Sequence, residues 1–250
     1  MGASTVKIEA VTVCVNYSDF LAHTIPENIS HVDRLVVVTT HADKATQELC
    51  RRYSVDCVMT EDFFKDGDKF NKGRAINYGL SHLRWDDKVI HLDADIVLPM
   101  RFRQMLHYHD LKDDTVYGMD RLNVRNYENW MAHKSKTKPQ HQYRFMVTPQ
   151  EQFPIGSRLL HSELGWLPCG YFQMWSARTG RRYPVNAGSS EHSDVVFAAQ
   201  WSKRVLMPEM FCYHLESEEA PMGVNWQGRK TKIFGPCHKP PSPPHGYCKK

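Results

Sequence analysis

No apolar run in the 250-residue sequence comes near the roughly 20 residues that span a bilayer, so no transmembrane helix is expected. The start, Met1-Gly2-Ala3-Ser4-Thr5-Val6-Lys7, lacks the basic-then-apolar layout of a signal peptide. Met1-Gly2 reads either as a myristoylation start or as an expression remnant. A Gly-X4-Gly-Lys-Ser/Thr loop is missing too, which argues against a P-loop kinase or ATPase. The 7 cysteines are odd in number and follow no framework, which argues against an oxidising compartment. Cys14, Cys50 and Cys57 lie in or beside apolar segments, where a thiol behaves as a small hydrophobe. The expectation is a soluble, cytoplasmic protein. Acidic residues are absent from Pro221 to Lys250, where Arg229, Lys230, Lys232, Lys239, Lys249 and Lys250 stand alone.

What is present is ordinary globular composition, 41% hydrophobic and 24% charged, with length for one large domain. The formal charge of +4 decides little, but its distribution is local. A second basic stretch, His133-Lys134-Ser135-Lys136-Thr137-Lys138, joins the basic end as a candidate surface for a polyanion, whether diphosphate or nucleic acid. A plain solvated basic surface explains the same residues.

Apolar patterning alternates strand and helix. Ile8 to Tyr17, Arg34 to Thr40 and Val55 to Met59 read as buried strands, with helices from Phe20 to Ile29 and from about Lys44 to Tyr53. Pro26 weakens the first helix. Short joins between such elements predict right-handed crossovers and a parallel sheet, hence an α/β fold. Further on, Phe102 to His109 reads as helix, Thr115 to Gly118 as strand, and a segment from Tyr127 to about Pro154 as an aperiodic excursion. Leu167 to Trp175 reads as an aromatic strand, Val195 to Trp201 as a buried helix and Met210 to His214 as a last strand.

The chemistry concentrates at Val89-Ile90-His91-Leu92-Asp93-Ala94-Asp95-Ile96-Val97-Leu98. Two carboxylates one residue apart end a buried strand, and charge there is costly unless paired. A divalent cation with phosphate oxygens on its far side is one such partner. Asp93 as a turn cap with Asp95 solvated is the plain alternative. In Phe70-Asn71-Lys72-Gly73-Arg74-Ala75, Gly73 permits close backbone approach to a ligand, while Lys72 and Arg74 add charge. Tyr17, Thr39 and Asp43 fall at carboxyl ends of strands, where ligands of such sheets bind.

Leu92-Asp93-Ala94-Asp95 resembles the Asp-X-Asp motif of metal-dependent nucleotide-sugar glycosyltransferases of the GT-A fold. The block around Asn71 and Gly73 is similar to the segment preceding that motif in family-2-like members. The resemblance runs from about Ile8 to Lys232. It implies a Rossmann-like, mostly parallel sheet flanked by helices over residues 1–235, with a nucleotide-binding half at about 8–100 and an acceptor half at about 101–235. An acceptor-side insertion and a flexible, Pro-rich basic tail at 236–250 complete it. It further implies Mn²⁺ or Mg²⁺ as cofactor and a nucleotide sugar, in the first place a UDP-sugar, as donor. Tyr17, Thr39 and Asp43 would hold base and ribose, Asp93 ribose or metal, and Asp95 with His214 the cation. Lys72, Gly73, Arg229 and Lys230 would meet the diphosphate. Gly170, Tyr171, Phe172, Gln173 and Trp175 would floor the sugar and acceptor cleft. The family opens its acceptor-side helix with Glu-Asp and takes its base from there; here His192 stands second, so Glu191, His192 and Asp194 compete, with Asp194 first. Inverting transfer is part of the same implication.

The closing segment, His214-Leu215-Glu216-Ser217 with Asn225-Trp226-Gln227-Gly228-Arg229-Lys230, resembles phage-type glycosyltransferases acting on hydroxymethylated pyrimidines in DNA. That implies 5-hydroxymethylcytosine or 5-hydroxymethyluracil as acceptor, and a host cytoplasm. A saccharide or small-molecule acceptor, a nucleotidyltransferase, and a non-catalytic nucleic-acid-binding protein are the alternatives. Cys237, His238, His245 and Cys248 offer zinc donors at a spacing unlike common fingers, with four prolines between them.

Overall fold

A computed structural model describes residues 6–135, 159–161, 165–185, 193–217, 229 and 231–236. Chain order begins with strand β1 (Ile8–Val13), helix α1 (Ser18–Asn28), β2 (Arg34–Thr39), α2 (Lys44–Arg52), β3 (Asp56–Met59) and α3 (Lys72–Leu80). It continues through β4 (Lys88–Leu92), β5 (Ile96–Val97), α4 (Phe102–Leu106), β6 (Thr115–Arg125) and α5 (Tyr127–Lys134). Last come β7 (Leu159–His161), β8 (Gly165–Leu167), β9 (Phe172–Ser176), α6 (Ser193–Ala199) and β10 (Lys203–Glu216).

Eight strands form one sheet in the order β3-β2-β1-β4-β9-β6-β10-β5. β1, β2, β3 and β4 pair in parallel, as do β6 and β10; β9 runs antiparallel to both β4 and β6, and β5 antiparallel to β10. Six strands therefore share one direction, and the architecture is the mostly parallel α/β sheet expected from the sequence. β7 and β8 form a separate ladder.

Both faces of the sheet are covered, which is why β2 and β4 are near-continuous apolar runs. Ala10, Leu35, Val37, Ile90 and Leu92 pack on one face with Leu21 and Ile25 of α1, Cys50 of α2 and Phe102 of α4. Val11, Val36, Val38 and Val89 pack on the other with Ala75, Ile76 and Leu80 of α3 and Phe197 of α6. Each buried Val, Leu, Ile or Phe side chain among them stabilises the fold by about 1.5–3 kcal/mol. Gly79 of α3 sits where a Cβ would come within 2.6 Å of Val11 and Val38, so the helix rests directly on the sheet. Cys14 and Cys50 are buried thiols, and burial pushes Cys14 up to about 12. No helix among the described residues is long and apolar enough to cross a membrane.

Boundaries shift in places. α1 begins at Ser18 and carries Pro26 inside it. The segment expected to be aperiodic from Tyr127 opens as α5, capped by the Asn126 side chain accepting from Asn129 N; the rest of that excursion, to residue 154, lies outside the described residues. β6 runs through Asp120 and Arg121 to Arg125, and β10 covers 14 residues. A register shift between Met207 and Phe211 takes up Pro208, which has no N–H for a ladder.

Candidate active site

The Asp93-Ala94-Asp95 turn stands where β4 ends and β5 departs to the far edge of the sheet. Backbone contacts hold it on several sides: Asp93 N donates to Tyr171 O at 3.0 Å, and Leu215 N donates to Asp95 O at 2.9 Å. From α1, Thr24 Oγ1 donates to Ala94 O at 2.7 Å, Asn28 Nδ2 donates to Ile96 O at 2.7 Å, and Leu98 N donates to Asn28 Oδ1 at 2.8 Å. The β5–β10 pairing sets Ile96 opposite His214, which is what brings His214 to Asp95.

His214 Nε2 lies 3.4 Å from Asp95 Oδ2, while Nδ1 faces Glu216 Oε1 at 3.1 Å and Asn123 Oδ1 at 3.3 Å. Asp95 Oδ1 is buried without a hydrogen-bond partner among the described residues. Across the turn, Asp93 Oδ1 meets the ammonium of Lys72, at the first residue of α3. The Asp93 side chain keeps 28% exposure, so a ligand reaches it. Burial, strongest of the influences, and the charge of Asp95 push the Asp93 carboxyl above its ordinary value, against the pull of Lys72. Burial opposes the charge on Asp95 as well, but His214, Lys72 and Arg121 outweigh it and hold that carboxyl below its ordinary value. Burial and Arg121 favour a neutral His214, yet Asp95 and Glu216 outweigh them and hold its proton more tightly.

Among the described residues no group of three or more His, Cys, Asp or Glu side chains is gathered around one point for an ion. Asp95 and His214 are together, and the unpaired Oδ1 is the atom a cation would satisfy; carboxylate and imidazole are both donors to divalent metals. Asp93 is turned to Lys72 instead. The residues fit a divalent cation that takes its remaining ligands from substrate oxygens.

Asp194, in the first turn of α6, is set by two amides: Gly170 N donates to Oδ2 at 2.7 Å and Val195 N donates to Oδ1 at 2.9 Å. A Cβ on Gly170 would come within 2.7 Å of Asp194 Cβ, so only glycine admits this approach. The 169–171 turn thus touches the Asp194 carboxylate through Gly170 N and the Asp93 amide through Tyr171 O, and ties the two aspartates to one piece of backbone. Tyr17 stacks on Phe20 at 4.3 Å and feels the Asp95 charge, which adds to burial in raising its hydroxyl.

Several expected roles change. Arg229 does not present its guanidinium to a ligand: its donors go to both Asp19 oxygens at 2.5 and 2.7 Å and to the carbonyls of Asn16, Thr231 and Lys232. With all five N–H groups used, it clasps residues 231–234 onto α1. Asp43 caps α2, accepting from Thr46 N, Thr46 Oγ1, Asn16 N and Thr39 Oγ1, so Thr39 and Asp43 are buried partners of each other with their polar atoms engaged. What approaches Gly73 is protein, since a Cβ there would come within 2.1 Å of Pro184 O. Phe172, Gln173 and Trp175 have no exposure and Tyr171 almost none, so these side chains build core and cannot floor a cleft. Trp175 packs on Phe197, Phe172 on Phe102, and Tyr171 donates its hydroxyl to Met119 O at 2.6 Å.

Glu191, His192 and Lys230 lie outside the described residues, as do Cys237, His238, His245 and Cys248. Sequence patterning missed Asn123, Arg121 and Glu216 around His214, and Thr24 and Asn28 beneath the turn. A signal existed for the first two, which are polar residues within an 11-residue buried strand.

No family model and no curated protein matches the chain. Solved structures align over much of it. Mannosyl-3-phosphoglycerate synthase from Rubrobacter xylanophilus is 16% identical with a TM-score of 0.44, covering 70% of this chain and 54% of its own, so this chain spans about half that protein. Glucosyl-3-phosphoglycerate synthase from Mycobacterium tuberculosis, solved with Mn²⁺, UDP-glucose and phosphoglyceric acid, is 13% identical with a TM-score of 0.45, covering 87% and 73%. The inositol-1-phosphate CTP transferase from T. maritima is 11% identical with a TM-score of 0.45, covering 86% and 91%. At such identities and scores, what this chain does has to be argued from its own residues.

Proposed function

We propose that the chain is a divalent-cation-dependent glycosyltransferase that moves a sugar from a nucleotide sugar to a hydroxyl acceptor. The observation that carries this is Asp95 Oδ1, buried and unpaired at the carboxyl end of a parallel sheet, beside a histidine delivered by strand pairing. Asp95 and His214 would hold the cation, with Asp93 facing them across the turn. When bound, a cation of this kind offsets charge on a diphosphate leaving group. Lys72 stands ready for the same charge, because its ammonium rests on Asp93 and a diphosphate offers it a stronger anion. Tyr17 borders the same space. Asp194, oriented by the Gly170 and Val195 amides, is the base that would take the acceptor proton.

The acceptor proposed from the closing segment is a hydroxymethylpyrimidine in DNA. Two of the cations that favoured it have other employment: Arg229 is the clasp described above, and Lys134 pairs with Glu27 at 2.6 Å. DNA therefore stands beside a saccharide or small-molecule hydroxyl on equal terms. The test is a panel of nucleotide sugars with Mn²⁺, read by release of the nucleoside diphosphate, with and without hydroxymethylated DNA. Diphosphate release without DNA modification keeps the transferase and removes the DNA acceptor. Pyrophosphate release from a nucleoside triphosphate instead marks a nucleotidyltransferase.

A further inference from the structure

His91 lies between Ile90 and Leu92 in β4 and has no exposure. By alternation it shares the α3 and α6 face with Val89, on the side from which Lys72 reaches Asp93. Among the described residues neither ring nitrogen makes a hydrogen bond of ordinary geometry, although the backbone of Gly170 lies near the ring. Nε2 stands 3.5 Å from Asp93 Oδ1, the same oxygen that Lys72 engages. The ring meets Tyr183 edge-on at 5.3 Å. Tyr183 donates its hydroxyl to Gln173 Oε1, and Gln173 Nε2 donates to the main-chain oxygen of Asp194 at 3.1 Å. Burial, reinforced by Lys72, pushes the ring well below its ordinary value and keeps it neutral.

A leucine or valine at this position would match the rest of the strand and leave nothing unpaired. An imidazole buried with neither nitrogen in a hydrogen bond of ordinary geometry is costly, and a group of that kind calls for an explanation. Carboxylates that bind metal are themselves held by outer hydrogen bonds, which fix their orientation. Asp93 Oδ1 is the only carboxylate oxygen paired with the ring among the described residues.

We propose that His91 is a positioning residue for Asp93: its Nε2–H closes on Oδ1 when Lys72 leaves for a bound diphosphate, and fixes the carboxylate in the orientation the donor and its cation require. This rests on the site reading above. Lys72 supplies the positive charge beside Oδ1, and the imidazole stands 3.5 Å from the same oxygen. Once Lys72 is drawn off, the histidine is the donor already in line. The buried chain through Tyr183 and Gln173 to the Asp194 backbone keeps the ring from turning away.

The chain carrying His91→Leu, His91→Gln, Asp93→Asn or Asp95→Asn tests this by thermal unfolding and by calorimetric titration of Mn²⁺ in the presence of UDP. His91→Leu should melt no lower than the wild type, because an unpaired polar group is gone, yet bind Mn²⁺ with UDP about 10–100-fold more weakly. His91→Gln, whose amide reaches towards Oδ1, should recover most of that loss. A loss of function without a loss of stability is what a merely structural histidine would not produce. If His91→Leu binds as the wild type does while Asp93→Asn and Asp95→Asn bind weakly, the positioning role is wrong and the site stands. If neither aspartate variant changes binding, the site reading is wrong and the His91 role falls with it. Should His91→Leu fail to fold, His91→Asn, too short to reach Oδ1, replaces it: weaker binding than His91→Gln supports the proposal, and equal binding overturns it.

Discussion

An unpaired carboxylate oxygen inside a protein is an expense that folding alone does not require, and Asp95 Oδ1 is such an atom within reach of an imidazole. The Asp-X-Asp pair and His214 were legible because each ends an apolar run, where a charge or a ring has no local reason to be. Lys72 on Asp93 and Gly170 on Asp194 bring together residues more than twenty positions apart, and only packing could reveal them. His214→Ala should leave the fold intact and raise the Mn²⁺ concentration needed for half-maximal donor turnover by about 10–100-fold, since ligand-shell losses are of that order; an unchanged metal titration removes His214 from the site. Gly170→Ala should push the Asp194 side chain out of place, because the added methyl meets it at 2.7 Å. Turnover to an acceptor should then fall towards the level of Asp194→Asn, a loss of about 10²–10⁴-fold for a general base. Donor binding should survive in both, and full transfer activity in Gly170→Ala would detach Asp194 from the reaction.

At the scale of elements, α1 does work that its sequence does not advertise. Asn28 bridges Ile96 O and Leu98 N, so Asn28→Ala leaves two buried backbone groups unpaired at about 1–3 kcal/mol each. A domain of this size should lose about 2–4 °C in Tm per kcal/mol, and Mn²⁺ affinity should fall because β5 carries the turn. An unchanged Tm would contradict the clamp. Arg229→Ala tests a correction: it strands Asp19 and should cost about 1.5–3 kcal/mol, while the donor KM of the folded fraction stays unchanged. A raised donor KM with unchanged stability would return Arg229 to the diphosphate. The parallel strands β1, β2 and β4 were readable as continuous apolar runs. β6 and β10 were readable only in part, as Thr115 to Gly118 and Met210 to His214, because buried Asp120, Arg121 and Asn123 interrupt the apolar pattern of one and Pro208 interrupts the other.

For the whole molecule, the sheet order places Asp93 and Asp95 beside the switch from parallel to antiparallel pairing, at the carboxyl ends where ligands of α/β sheets bind. Order of elements was legible from alternating strand and helix patterns; the insertion of β9 between β4 and β6 was not, since no local signal encodes which strands become neighbours. The aromatic segment 171–175 left cleft floor and core packing both open for the same reason: its side chains are large and apolar in either place. The account turns on a cation and a nucleotide sugar meeting at Asp95. The most direct measurement is Mn²⁺-dependent release of nucleoside diphosphate from a nucleotide-sugar panel by the wild type and by Asp95→Asn, with both proteins shown folded by their melting curves. The account predicts release by the wild type that vanishes on chelation and does not return in Asp95→Asn at saturating Mn²⁺. Equal release by both proteins, or release that chelation leaves untouched, would contradict it.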